Sequence, residues 1–359
     1  MKKSIATALV MCLALMTAGR PSEAADAKKK HLTLAVSIYA GWMPWYYAKE
    51  QGILKKWADK YNLDIDCKYM DYAPSLDAFV AGQADACVMT NMEALDMPAS
   101  AGVDTSAIIM GDYSNGNDAI LTRNKLDLPQ LKGKNVYLVE KTVSQYLLSR
   151  ALEKDKMKES DVKIVNVSDS DIAPSFLASK DQQAVVTWNP MVMEIEKNRG
   201  ITKIFDSSKV PGEIQDLCVV NTKVLNANPD FARALVGCWY EVLGVMSSQG
   251  DKSEAAIKKM AELSKASPAE FKSQIKTTAL YYTPQDAAKY MKSEELKGKQ
   301  DLVRKFCFAH NLLGENAKSV DVVGIEYPDG SVQGDKNKVK MRYVAKYMEE
   351  AAAGKISLK

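Results

Sequence analysis

The stretch His31 to Gly52, HLTLAVSIYAGWMPWYYAKEQG, decides the fold. Residues 31–39 alternate and are rich in β formers, so they read as a strand. Gly41-Trp42-Met43-Pro44 punctuates that strand. A helix follows from Trp45, with Pro44 suited to its first turn and Gly52 to its end.

Working outward, the strand–helix unit recurs. Ile65–Met70 reads as a strand, Ser75–Ala81 as a helix closed by Gly82, and Ala86–Thr90 as the next strand. Met92–Ala101 is helical and stops at Gly102, and Ser106–Tyr113 is extended. The pattern then restarts. Strands are expected at 117–123, 135–139, 162–167, 183–187 and 217–221, with helices at 144–154 and 171–179. After Pro229 the chain reads as a helical tail of more than a hundred residues. Alternating strands and helices predict parallel βαβ construction, here in two blocks near 31–115 and 120–215. No low-complexity linker separates the blocks, so strands crossing between two lobes are expected to join them. Ligands of open α/β sheets bind beyond the carboxyl ends of the strands, and two facing sheet ends make a cleft.

Composition narrows the class. The chain has 359 residues, 47% of them hydrophobic and 26% charged, which excludes a collagen, a coiled coil and a mainly disordered chain. With 48 basic and 45 acidic residues the net charge is only +3, so nothing points to nucleic acid. Met1–Ala24 reads as a secretory signal peptide: Lys2 and Lys3, an apolar run over 5–18 that is too short to span a bilayer, then Ser22-Glu23-Ala24. Its removal predicts an exported, soluble protein in a periplasmic or similar extracytoplasmic space. Five cysteines remain, Cys67, Cys87, Cys218, Cys238 and Cys307. One disulfide among them is compatible with export, but the spacing selects no pair. With only His31 and His310 and no zinc spacing, neither a metal site nor a cofactor is expected.

Four segments in order carry a family resemblance. They are Gly41–Gly52, Ala81-Gly82-Gln83-Ala84-Asp85-Ala86, Gln145–Leu152 and Ala184-Val185-Val186-Thr187-Trp188-Asn189-Pro190. Together they resemble the nitrate/sulfonate/taurine-type solute-binding proteins of ABC importers. That resemblance implies a two-lobed, type 2 periplasmic-binding α/β fold, each lobe a mostly parallel sheet flanked by helices. Lobe 1 is expected to span 31–116 plus 222–359 and lobe 2 to span 117–221, with hinge strands near 116–120 and 215–221. It further implies a monomer that closes on a small molecule and delivers it to a membrane permease. Thr90-Asn91-Met92-Glu93-Ala94 and Gly111–Asp118 look like a narrower branch, the binding proteins encoded beside urea-carboxylase-type enzymes, which implies urea or a guanidinium-like cargo. One departure matters. Where sulfonate-type members place a Gly-Ser-rich turn that donates N–H groups to an anion, this chain has Glu140-Lys141-Thr142-Val143-Ser144.

The cleft candidates sit at strand ends. Tyr39, Trp42, Trp45 and Tyr46 could wall a planar or cationic ligand, although Trp45 and Tyr46 begin a helix and could equally face the sheet. Glu93 could pair with a guanidinium. Asn91 could bond the ligand or cap the helix that follows it. Asp112, Asn117 and Asp118 lie where the chain crosses between lobes, with turn chemistry as the plain alternative for the asparagine. Ser144, Trp188, Asn189 and Asp216 complete the set. Helix N-termini at these ends favour anions, but whole carboxylate charges outweigh half-charges, so a cation or an amide is expected. The alternatives are an organic anion such as a sulfonate or nitrate, a thiamine-precursor pyrimidine, a sensor subunit, or an enzyme on the same fold. An enzyme would want an activated base, thiolate or lysine in the cleft, and neither histidine is placed there by the strand pattern.

Overall fold

A computed structural model describes residues 29–358. The expected signal peptide, Met1–Ala24, lies outside the described residues. Fourteen strands occur among those described. The first four are β1 (Lys30–Val36), β2 (Leu63–Tyr69), β3 (Ala86–Thr90) and β4 (Thr105–Ser114). The next five are β5 (Asp118–Arg123), β6 (Asn135–Leu138), β7 (Lys163–Asn166), β8 (Ala184–Trp188) and β9 (Ile201–Asp206). Then come β10 (Gln215–Asn221), β11 (Thr278–Leu280), β12 (Gly324–Glu326), β13 (Val332–Gln333) and β14 (Val339–Tyr343).

The strands form two sheets, one per lobe. The larger runs β13-β12-β14-β4-β10-β3-β1-β2 with β11 added beside β4, and the smaller runs β7-β6-β8-β5-β9. The parallel βαβ cores expected from the alternation are present: β1 pairs parallel with β2 and β3, and β6 with β7 and β8. The sheets as wholes are mixed, not mostly parallel, because β10 runs antiparallel between β3 and β4, and β5 antiparallel between β8 and β9. These are the strands on which the chain leaves one lobe and enters the other. A strand entered by crossing from the opposite lobe starts at the cleft and must run back through its sheet.

Two expectations about the chain's division change. Residues 215–221 were expected to close lobe 2, but β10 is a central strand of the larger sheet, so the second crossing is 207–214. The tail is not purely helical, since β11 to β14 extend the larger sheet. Strand addition there satisfies backbone hydrogen bonds that the sheet would otherwise leave open at its edge.

Local chemistry explains the elements at the cleft. A short 3₁₀ turn, Ala40–Trp42, leads into the helix Met43–Glu50, with Pro44 in its first turn where a missing N–H costs nothing. Gly41 is required there by close approach: a Cβ would lie 2.3 Å from the Tyr39 ring and 2.6 Å from Asp112 Oδ2. The helix Val143–Lys154 starts at Thr142, whose hydroxyl accepts from the Ser144 N–H. All five remaining cysteines are buried and unpaired, and burial pushes the Cys87 thiol up to about 12. They act as small apolar side chains.

The lobes meet closely. The Ala40 N–H donates to the Asn189 carbonyl at 3.3 Å, and the Tyr72 N–H to Asp169 Oδ2 at 3.0 Å. Trp188 Nε1–H donates to the Ile38 carbonyl at 3.1 Å. Also between the lobes, Tyr146 packs edge-on against Phe306, and His310 Nε2 lies 2.9 Å from Glu159 Oε1. No helix among the described residues is long and apolar enough to cross a membrane.

Candidate functional site

Closure leaves a cavity between the lobes, lined by Tyr39, Trp42, Tyr72, Thr90 and Asp216 from lobe 1, Asp118, Val143 and Trp188 from lobe 2, and Ile214 from the crossing. Each lining residue lies at a sheet end or in the segment just beyond it. Parallel strands contribute their carboxyl ends: Thr90 closes β3, Trp188 closes β8, and Tyr39 and Val143 follow β1 and β6. The antiparallel strands contribute their first residues, which is how Asp118 and Asp216 reach the same level.

Four rings form a continuous wall across both lobes. Tyr39 meets Trp42 at 5.0 Å between centroids, Trp42 meets Tyr72 at 5.6 Å, and Tyr72 meets Trp188 at 5.9 Å. The first and last contacts are edge-to-face, a favoured arrangement worth about 0.5–1.5 kcal/mol per pair beyond burial. The space between the lobes is about 290 Å³ including its mouth, and the ring wall keeps it narrow. That is a slot, and it suits a flat molecule of few atoms.

The polar groups are acidic. Asp118 accepts from Ser114 Oγ at 2.5 Å, and burial pushes its carboxyl up to about 7. Asp216 is 3% exposed, and its Oδ2 has no partner among the described residues. Burial raises its pKa well above the carboxylate range, reinforced by Asp112. Asp112 stands opposite Asp216 across β4 and β10, takes a hydrogen bond from the Tyr39 hydroxyl at 3.0 Å, and is pushed up by burial to about 7. Among the described residues, no Lys, Arg or His lines the cavity.

Glu93 does a different job from the one its position suggests. Its Oε2 accepts from the Tyr72 hydroxyl at 3.0 Å and from the Thr90 hydroxyl, while Oε1 accepts from the Val143 N–H at 2.9 Å. A lobe 1 carboxylate thus occupies the N-terminus of the first lobe 2 helix, where exposed N–H groups and the helix dipole favour negative charge. Glu93 is completely buried and satisfied, and it is not on the cavity wall.

The other candidates distribute as follows. Tyr39, Trp42, Asp118, Trp188 and Asp216 line the cavity, and Asp112 lies directly behind Tyr39 and Asp216. Trp45 does not reach it, because the helix turns its ring into the lobe 1 core, 5.1 Å from Trp239. Tyr46 stacks on Tyr69 at 4.0 Å, away from the slot. Asn91 neither lines the cavity nor caps the helix. Its amide bonds Gln300 and the Glu213 carbonyl and accepts from the Gln215 N–H, and Thr90 is the cap. Asn117 and Asn189 brace the first crossing: Asn117 Oδ1 accepts from the Asn189 N–H at 3.0 Å, and Asn117 Nδ2 donates to the Thr278 hydroxyl at 2.7 Å. Ser144 is buried one residue beyond Val143.

Sequence reasoning missed Tyr72, Thr90, Val143 and Ile214. The helix expected from Ser75 starts at Tyr72, which carries that ring to the carboxyl end of β2. Thr90 is legible as a strand end, but its neighbours Asn91 and Glu93 carry the stronger polar signal.

Comparison with known proteins agrees with this architecture. The NMT1/THI5-like family model matches residues 43–239, more than half of the chain. A binding protein of Brucella abortus is 25% identical over 224 residues, which are 61% of this chain and 67% of that one. The alkanesulfonate-binding protein SsuA of Xanthomonas axonopodis pv. citri superposes with a TM-score of 0.65 at 16% identity, covering 80% of this chain and 96% of that one. The periplasmic nitrate-binding protein NrtA of Synechocystis PCC 6803 does so with a TM-score of 0.57 at 12% identity, covering 90% and 98%. The chain belongs to the NMT1/THI5-like family and has the fold of the periplasmic solute-binding proteins of nitrate and sulfonate type.

Proposed function

We propose that this protein is the solute-binding component of an ABC importer, and that it closes on a small, flat N–H donor such as urea, a guanidinium compound or an amide. The carrying observation is the slot itself, with an aromatic wall, one carboxyl from each lobe and no basic side chain. Rings offer their faces to a planar or cationic group, and carboxylates accept paired N–H bonds. A ligand bridging Asp118 and Asp216 stabilises the closed form, because only closure brings both within reach. A permease then receives the closed form.

The second reading is an oxyanion, favoured by neighbours described as alkanesulfonate- and nitrate-binding. Against it, the helix end that would donate N–H groups already holds Glu93.

A thermal-shift panel separates the two. The panel holds urea, guanidinium, small amides, polyamines, taurine, alkanesulfonates, nitrate and pyrimidines. A native-state ligand raises the melting temperature once its concentration passes Kd. Stabilisation by an N–H donor, lost in Asp216→Asn, is the expected result. Stabilisation by taurine or nitrate alone overturns the cargo class.

A further inference from the structure

We infer that cargo enters this cavity in exchange for a proton: a small organic monocation held between Asp118 and Asp216 displaces a proton that Asp216 and Asp112 share when no cargo is bound. This rests on the N–H-donor reading above and goes further by choosing the charged members of that class over urea and amides.

The geometry starts with β4 and β10. Asp112 and Asp216 are directly opposite each other in that antiparallel pair, and both are essentially inaccessible to solvent, at 0% and 3% exposure. The Oδ2 atom of each carboxyl has no donor among the described residues. Two buried carboxylates on opposed residues repel each other and offer each other no hydrogen, so a proton on one of them is needed to satisfy both. The Tyr39 hydroxyl holds Asp112 Oδ1, and the bare Cα of Gly41 leaves room for Oδ2, so Asp112 is fixed as the partner. Asp216 faces the slot, and Asp112 stands behind it.

The surroundings keep that proton bound. Asp118 on β5 and Tyr39 after β1 face the pair directly. Tyr72 lies within electrostatic reach of Asp216, Glu93 of Asp118, and Tyr281 and Tyr282 after β11 of Asp112. Every one is acidic or phenolic, and none can supply a positive charge. A cationic cargo is therefore the first positive charge this cluster meets. Once it sits between Asp118 and Asp216, the shared proton is no longer needed to offset repulsion and leaves to solvent. A neutral ligand supplies no charge and leaves the proton where it is.

Calorimetry tests this with guanidinium chloride, methylguanidinium and urea as probes, each titrated in buffers of different ionisation enthalpy from pH 5.5 to 8.5 (about one and a half decades either side of neutrality in proton activity). The expected result is release of at least one proton per guanidinium, with a second from Asp118 at the acid end, where that carboxyl is protonated as well. Affinity there should weaken at least tenfold per pH unit, and urea should show neither effect. Asp112→Asn, behind the wall, should abolish that shared proton's release while guanidinium still binds. Guanidinium binding with no proton released and no pH dependence overturns the exchange while leaving the N–H-donor reading intact, as does binding of urea in preference to every cation. Binding of taurine or nitrate alone overturns both. Should the Asn variant fail to fold, infrared difference spectra of wild-type protein labelled with 13C-carboxyl aspartate decide the matter. Guanidinium should erase a protonated-carboxyl band, and its persistence overturns the exchange.

Discussion

Replacing Asp118 by Asn should make the cargo-free protein more stable above neutral pH while weakening its hold on a cation. Asp118 is completely buried, and its carboxyl is pushed from 3.8 to about 7 by burial, with Glu93 and Asp112 adding to the rise. Between those two values the folded state holds a proton that the unfolded state has released. Stability from this group is thus fully present below pH 4 and is lost as pH rises through 7. Just over three pH units at about 1.4 kcal/mol each make the loss about 4 kcal/mol. With an unfolding entropy of about 2.1 cal/mol/K per residue over roughly 330 residues, that is about 6 °C in melting temperature. Asn keeps the shape and still accepts from Ser114, but it has no charge to bury. The assay is differential scanning calorimetry of both proteins from pH 4.5 to 8.5, a span that covers the titration. Heat is the right denaturant, since urea and guanidinium are themselves candidate cargoes. The variant's advantage should grow with pH and level off above 7. Melting temperatures that run parallel across the range refute the desolvation argument.

Three other outcomes follow from the same contacts. Glu93→Ala orphans the Val143 N–H and the Tyr72 and Thr90 hydroxyls, at about 1–3 kcal/mol for each that stays dry, so the lobes should part and small-angle scattering should show a larger radius of gyration. Trp188→Phe removes the Nε1–H bond to the Ile38 carbonyl but keeps a ring on the wall, and cargo affinity should fall about 5- to 10-fold with an unchanged far-ultraviolet spectrum. Burial alone would lower the His310 pKa, but the bond to Glu159 and the Phe306 carbonyl outweigh it and raise it above 6.5. The stability from that contact is present below 6.5 and lost as pH rises through the raised value, so His310→Gln should lower the melting temperature at pH 6 and change it little at pH 9.

Local sequence already determined most of the secondary structure and the level at which the site lies. The alternation of residues 31–39, the Pro44 start and the Gly52 stop describe a strand and a helix that form by nearest-neighbour chemistry. The strand-end rule put Tyr39, Trp42, Asp118, Trp188 and Asp216 at the cleft before any packing was known. Sequence could not separate Trp42 from Trp45. Both are apolar, three residues apart, and which of them faces the slot depends on the short 3₁₀ turn and on the position of Trp239, almost 200 residues later. Nor could it show that Glu93 is consumed by a helix end of the other lobe, or that Asp112 and Asp216 stand face to face. Those pairings join residues 50 and 104 positions apart. They exist only because β5 and β10 run back against their neighbours, and a carboxyl's partners are set by what tertiary packing brings beside it.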